Sequence, residues 1–338
     1  PLEIPFFSLI HVIAAYLLNK EITIDIEGFG EVKADIWSVL LASSGDGKSF
    51  TKKQIKKILD VDQLEFPNGA ASAARWIQDL QQNNKRIWIR DEFGQFLKSI
   101  QNQPHMEEIK DYLLRIYDND SIERSTSKYS IQITDPALVI LGYAVLEKFP
   151  NEVSADDMID GFAQRFSYII AERDSNKCIT DFPLWNLENS TWKSKWEEMV
   201  SSIKFNKYTA NSQAITAYKT AFTLLYKKEV PNSFFRRIIW RAHKYALIYH
   251  VITGKGEVQE IDAQDYGWAG RVLYMHVQDS LKLLESHGLS DLEKMIQKAE
   301  KIKIKFETQG KTIKPRDLIS SIRAIRNTNE AKAILSII

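Results

Sequence analysis

Positions 42–49 read Ala-Ser-Ser-Gly-Asp-Gly-Lys-Ser, directly after the apolar run Ile36–Leu41 and directly before a helix-competent stretch. Glycines in a strand-to-helix turn let backbone N–H groups wrap a phosphate, and a lysine at the helix start reaches its outer oxygens. The pattern predicts that Ser44, Gly45, Asp46, Gly47, Lys48, Ser49 and Phe50 cradle a nucleoside triphosphate, ATP, with Ser49 holding Mg2+. The first glycine of the usual pattern is Ala42 here, which a close turn tolerates while φ stays negative.

A second segment supports the first. Arg86-Ile87-Trp88-Ile89-Arg90 has the pattern of a short buried strand and ends in Asp91-Glu92. Hydrolysis of a triphosphate needs one carboxylate to place the metal and another to polarise the attacking water. The reading assigns Asp91 to the metal and Glu92 to the water. Standing alone, an Asp-Glu pair after a strand is more often a solvated acidic end.

The chain has 338 residues, 44% hydrophobic and 26% charged, enough for one large core or several small ones. The only cysteine, Cys178, excludes an internal disulfide, and no apolar run approaches the ~20 residues that span a bilayer. A cytoplasmic protein without membrane contact is expected. The chain opens at Pro1 with no initiator methionine, so the reading expects a piece of a longer polypeptide with a domain upstream. The formal charge of +1 argues against a uniformly basic nucleic-acid binder, yet residues 288–338 hold eleven Lys or Arg against six Asp or Glu.

Periodicity places a helix over Ile4–Leu18 and a strand over Glu21–Ile26, then helices over Lys52–Leu59, Ala70–Gln82 and Met106–Tyr117. Apolar runs at Ile36–Leu41, Gln63–Phe66, Arg86–Arg90, Ala137–Gly142 and Phe166–Ala171 alternate with those helices. Together they predict an α/β core over residues 1–175: a five-stranded parallel sheet flanked by helices, with its ligand at the strands' carboxyl ends. A connector over 176–207 carries Trp185, Trp192 and Trp196 and is expected to dock on a neighbour. From 208 to 287 the pattern is helical throughout, an all-α lid domain, and 288–338 forms a small basic helical domain with a helix-turn-helix pattern. His243 and His250 lie seven apart on one helical face, where packing is the commoner role than ligation, and no metal beyond Mg2+ is expected.

The stretch Ile4–Ala171, with its glycine turn, Ile-Trp-Ile-Arg-Asp-Glu, Thr134-Asp135-Pro136 and the Gln164-Arg165-Phe166 that precedes the last strand, resembles the P-loop ATPase region of phage and plasmid primase-helicases, of the extended AAA+ and superfamily 3 type. The resemblance covers about half the chain. It implies an ATP-hydrolysing motor of a DNA replication helicase, assembled as a homo-oligomeric, hexameric ring around single-stranded DNA, in host cytoplasm, and fused to an upstream primase-polymerase. It further implies that Arg165 reaches the γ-phosphate held by a neighbouring subunit, and that Arg236, at the start of a lid helix, contacts nucleotide. Arg124 and Lys128, in the loop before the fourth strand, occupy the place of DNA-contacting pore loops. Such proteins end that strand in a polar sensor, usually asparagine, whereas this chain has Gly142-Tyr143. A scaffold or DNA clamp that binds NTP with slow or no hydrolysis stays open as the alternative.

Overall fold

The computed structural model describes residues 1–67, 72–125, 130–153, 162–173, 192–226 and 232–287, and beyond them residues 299, 302–304, 306–308, 310, 312–322, 325, 328, 331–332 and 335. The chain divides into two compact units, Pro1–Lys282 and Leu283–Ile338.

The first unit begins with helix α1 (Glu3–Asn19), apolar on nearly every face and buried from Phe7 to Leu18 except at Leu9. A hairpin follows, β1 (Thr23–Ile26) and β2 (Gly30–Lys33), and then β3 (Trp37–Ala42), buried at all six positions. A strand buried on both faces is what a continuous apolar run specifies in a parallel sheet. Three more strands lie parallel beside it: β4 (Arg86–Arg90), β7 (Leu138–Val145) and β8 (Ser167–Ala171), in the order β4-β7-β3-β8. The fifth strand expected at 63–66 is reduced to a single parallel bridge between Glu65 and Ile87, which adds it next to β4. In this order β7 separates the strand bearing the acidic pair from the strand feeding the glycine turn.

Between the strands run α2 (Lys48–Val61), α3 (Ala73–Gln82), α4 (Phe93–Asn102), α5 (Pro104–Asp118) and the short α6 (Phe149–Glu152). Helix α3 starts where Ser72 accepts a hydrogen bond from the Arg75 N–H, and α5 starts on Pro104, whose missing N–H is no loss at a first helical position. The polar stretch 118–129 contributes half of a two-stranded antiparallel ribbon, β5 (Ile122–Ser125) with β6 (Ser130–Ile133).

The strand at the chain's start joins a different sheet from the one expected. β1 and β2 form a separate four-stranded sheet with β9 (Lys207–Ala210) and β10 (Glu260–Ile261), in the order β10-β9-β1-β2. Sequence reading found only helices after 208. Both late strands are too short to alternate visibly, and β9 is held by its parallel pairing to β1. The remaining helices are α7 (Trp192–Ser202), α8 (Ser212–Leu225), α9 (Asn232–Ile252) and α10 (Ala263–His287). Of the connector tryptophans, Trp196 docks on the start of the chain, its Nε1 donating to Asp62 at 3.0 Å and its ring edge-on to Tyr16; Trp185 lies outside the described residues.

Helix α9 packs against the amino ends of the parallel strands. Arg241, 1% exposed, donates to the carbonyls of Gln164 and Arg165, and Lys244 forms a buried ion pair of 2.8 Å with Asp35, just ahead of β3. In the second unit, helix α11 (Pro315–Ser321) carries Leu318 into a small cluster with Ala299, Ile322, Ile325 and Ala331. Among the described residues, no helix is long and apolar enough to cross a membrane.

Candidate functional site

The glycine turn leaves β3 at its carboxyl end and enters α2. Gly45 and Gly47 take φ of +88° and +89°, the left-handed region that other residues enter only with strain. Gly47 is the N-cap of α2, which has neither a side-chain cap nor an acidic residue in its first turn. Its first N–H groups and the positive end of its dipole therefore face the turn without a competing side chain. Ser44, Gly45, Ser49 and Phe50 are exposed there.

Three side chains hold the turn in shape. Lys48 folds back so that its ammonium donates to the carbonyls of Ala42 and, at 2.9 Å, Ser43. Burial pulls its pKa below the usual lysine value, while Asp46, Glu147 and Asp91 act in the opposite sense. The Asp46 side chain is 1% exposed, with the Arg173 guanidinium 2.5 Å from its carboxylate. Ser43 Oγ donates to Glu147, and that bond chiefly holds the Glu147 carboxyl below its ordinary range.

The acidic pair lies at the same end of the sheet. Arg90 is level with Gly142 on β7 and so with Val39 on β3, three residues before Ala42, so Asp91 and Glu92 leave β4 at the carboxyl end of the sheet about 10 Å short of the level at which β3 opens into the turn. Lys52, one turn along α2 from Lys48, donates to Asp91 at 2.7 Å. Glu92 is exposed and takes φ +52° as N-cap of α4, an uncommon conformation for a residue with a Cβ. Asp91 thus lies near enough to the turn to act on the Lys48 ammonium. The described residues contain no cluster of three or more His, Cys, Asp or Glu that would hold a metal by itself.

Gly142 has a packing reason. A Cβ there would sit 2.3 Å from Cγ of Phe93, the first residue of α4, so the ring of Phe93 closes over β7 where a sensor side chain was sought. The strand runs three residues further than the sequence reading took it, and the first charged side chain beyond its end is Glu147. The signal was present: Tyr143-Ala144-Val145 continues the apolar run.

Arg165 and Arg236 lie elsewhere. Arg165 precedes Ser167, which pairs with Ser38, whereas the turn opens after Ala42, which pairs with Ala171. At ~3.3 Å per residue the two ends are on the order of 20 Å apart along the sheet. Arg165 pairs with Asp118 at 2.7 Å and its guanidinium lies 5.1 Å from the Tyr117 ring. Glu172, near the carboxyl end of β8, pairs with Lys282. Arg236 is exposed beside a cavity that also borders Asp35 and Asp118, at this amino end, so it does not reach the turn of its own chain. Of the two DNA-contact candidates, Arg124 pairs with Glu108 at 2.9 Å with 22% of its side chain exposed, and Lys128 lies outside the described residues. His243 and His250 are core residues, bonded to Tyr266 at 2.5 Å and to Asp265 at 2.7 Å.

The chain matches no protein-family model and no curated protein.

Proposed function

We propose that the chain is the ATP-hydrolysing motor of a phage or plasmid DNA replication helicase, working as a ring on single-stranded DNA. The 2.7 Å contact of Lys52 with Asp91 carries the reading, because it brings the helix after the glycine turn against the acidic end of β4. In this reading the N–H groups at the start of α2 and the Lys48 ammonium receive the β- and γ-phosphates of ATP, and Lys48 exchanges its two carbonyl acceptors for phosphate oxygens. Ser49 and Asp91 hold Mg2+, which supplies charge neutralisation between the phosphates. Glu92 orients water with its exposed carboxylate and takes up its proton. Glu147, bonded to Ser43, stands where the sensor of related motors would act.

Arg165 lies at the far end of the sheet from its own chain's turn, so it serves a neighbour's nucleotide or none. In a ring it faces the next subunit's phosphates, and Asp118 holds it until that contact forms. The same ion pair favours the second reading, an NTP-binding scaffold without hydrolysis, because a guanidinium tied to Asp118 in every state stabilises no transferring phosphoryl group.

Turnover of ATP with and without a single-stranded oligonucleotide separates the two. The motor reading predicts DNA-stimulated turnover that falls by ~100-fold or more in Glu92→Gln and further in Arg165→Ala. It also predicts partial recovery when the two inactive variants are mixed, since a ring then pairs an intact Glu92 with a neighbour's intact Arg165. Nucleotide binding without turnover under any condition establishes the scaffold.

A further inference from the structure

The tip of the β1–β2 hairpin carries an aromatic side chain that folding does not need there. Phe29 is 65% exposed, in a reversal made by Gly28 and Gly30 at φ of +79° and +104°. Its ring leans on Trp240 of α9, centroids 4.3 Å apart. The pair stands between two cavities of about 470 and 430 Å3, both of which it lines.

The larger cavity has a biased charge. Its three carboxylates each face a cation: Asp35 with Lys244, Asp118 with Arg165, and Glu31 with Lys207. Arg236 and Arg237, also on its wall, have no carboxylate partner among the described residues; Arg237 donates instead to the neutral amide oxygen of Gln164 at 2.5 Å. Two guanidiniums on this wall with no carboxylate ion pair among the described residues, beside the exposed Phe29 ring tilted 57° against Trp240, suit a ligand with an anionic oxygen cluster next to a flat π-face. A carboxylate ligand would use the cations and leave the rings idle. The smaller cavity repeats the chemistry with Lys219 and Tyr218, although Glu27 also borders it.

We propose that the Phe29–Trp240 pair, with Arg236 and Arg237, binds a nucleotide unit of single-stranded nucleic acid, the base against the rings and the phosphate on the guanidiniums. This deepens the motor reading by giving the strand a seat on described residues, where Arg124 is already engaged by Glu108. Because the seat is remote from the glycine turn, the two assignments fail separately.

The test uses the full chain and a fluorescent oligothymidylate, read by anisotropy between about 50 and 200 mM salt. Phe29→Ala, at an exposed tip, is expected to weaken binding by about tenfold, as loss of one stacked base does. The pair Arg236→Gln and Arg237→Gln is expected to flatten the salt dependence by about one phosphate contact. Competition by thymidine monophosphate, which lacks a triphosphate for the glycine turn, assigns the seat to free nucleotides; competition by oligonucleotide alone assigns it to a strand, and both outcomes support the site. The proposal falls if the wild-type chain does not bind the oligonucleotide, if both variants bind it unchanged, or if polyglutamate binds equally well and loses affinity in the same variants. Binding of MgATP to Phe29→Ala, measured in parallel, stays at the wild-type level; loss of MgATP binding in the wild type defeats the motor reading and leaves this one standing.

Discussion

Glu92 bears a conformational cost. At φ +52° a side chain with a Cβ loses ~1 kcal/mol relative to glycine, and the Glu92 side chain is exposed. Strain held at a functional position and relieved by removing the function is a recurring arrangement. Glu92→Gly is therefore predicted to raise the melting temperature by ~2–4 °C while abolishing turnover; a lower melting temperature would show that the side chain stabilises the fold. Gly142 gives the opposite result. Even alanine there places a Cβ 2.3 Å from the ring of Phe93, so Gly142→Ala is predicted to cost ~1–3 kcal/mol, seen as a lower midpoint in urea. Gly142→Asn should be at least as damaging and should restore no sensor. The left-handed glycines of the turn and the strand that ends in the acidic pair could be located from sequence because each is a pattern of residues adjacent in the chain. Glu147, Arg173 and Asp118 could not, since each matters through a contact between residues far apart in the chain.

Among the elements, α9 is fixed to the amino end of β3 by one ion pair. Lys244 and Asp35 have side chains 8% and 3% exposed, so removing one partner leaves the other buried without its charge. Lys244→Ala is predicted to destabilise by ~3–5 kcal/mol, whereas Lys244→Met with Asp35→Leu should recover most of the loss; equal damage in the single and double variants would locate the loss in packing. Strands β3, β4, β7 and β8 were legible because burial on both faces leaves an unbroken apolar run, visible in Val139-Ile140-Leu141. The ribbon β5–β6 was not, since only one face is covered and Glu123, Arg124 and Gln132 keep its sequence polar. Helix α4 was missed for a different reason. Its apolar residues Phe93, Phe96, Leu97 and Ile100 keep helical spacing, but they follow directly on an acidic pair whose strand-end reading absorbed the segment.

The first unit as a whole titrates in a way its buried histidines dictate. Burial lowers His11 and His243 to about 4 and His276 to about 3, from an ordinary 6.5, so the folded chain keeps all three neutral while the unfolded chain protonates them. Asp279 opposes them: burial raises its carboxyl to about 6, so it stays protonated in the fold where the unfolded chain has lost its proton. Near pH 5 unfolding takes up about three protons at the histidines and releases about one at Asp279. Stability should therefore fall on acidification from pH 6.5 towards 4, by on the order of 2–3 kcal/mol per pH unit. Urea midpoints at pH 7 and pH 5 check this, and an equal or higher midpoint at pH 5 would contradict it. The division of roles across the sheet also belongs to this scale: the glycine turn and acidic pair at the carboxyl ends, and the arginines and aromatic hairpin tip at the amino ends. In the proposed motor a ring of copies joins those two ends, and nucleotide capture is the first requirement of that proposal. Calorimetric titration of MgATP into the wild-type chain and into Lys48→Ala tests it most directly. The account predicts one site per chain in the wild type and at least ~10-fold weaker binding in the variant, the loss of one charge-assisted contact; no binding, or equal affinity in the two proteins, would contradict it.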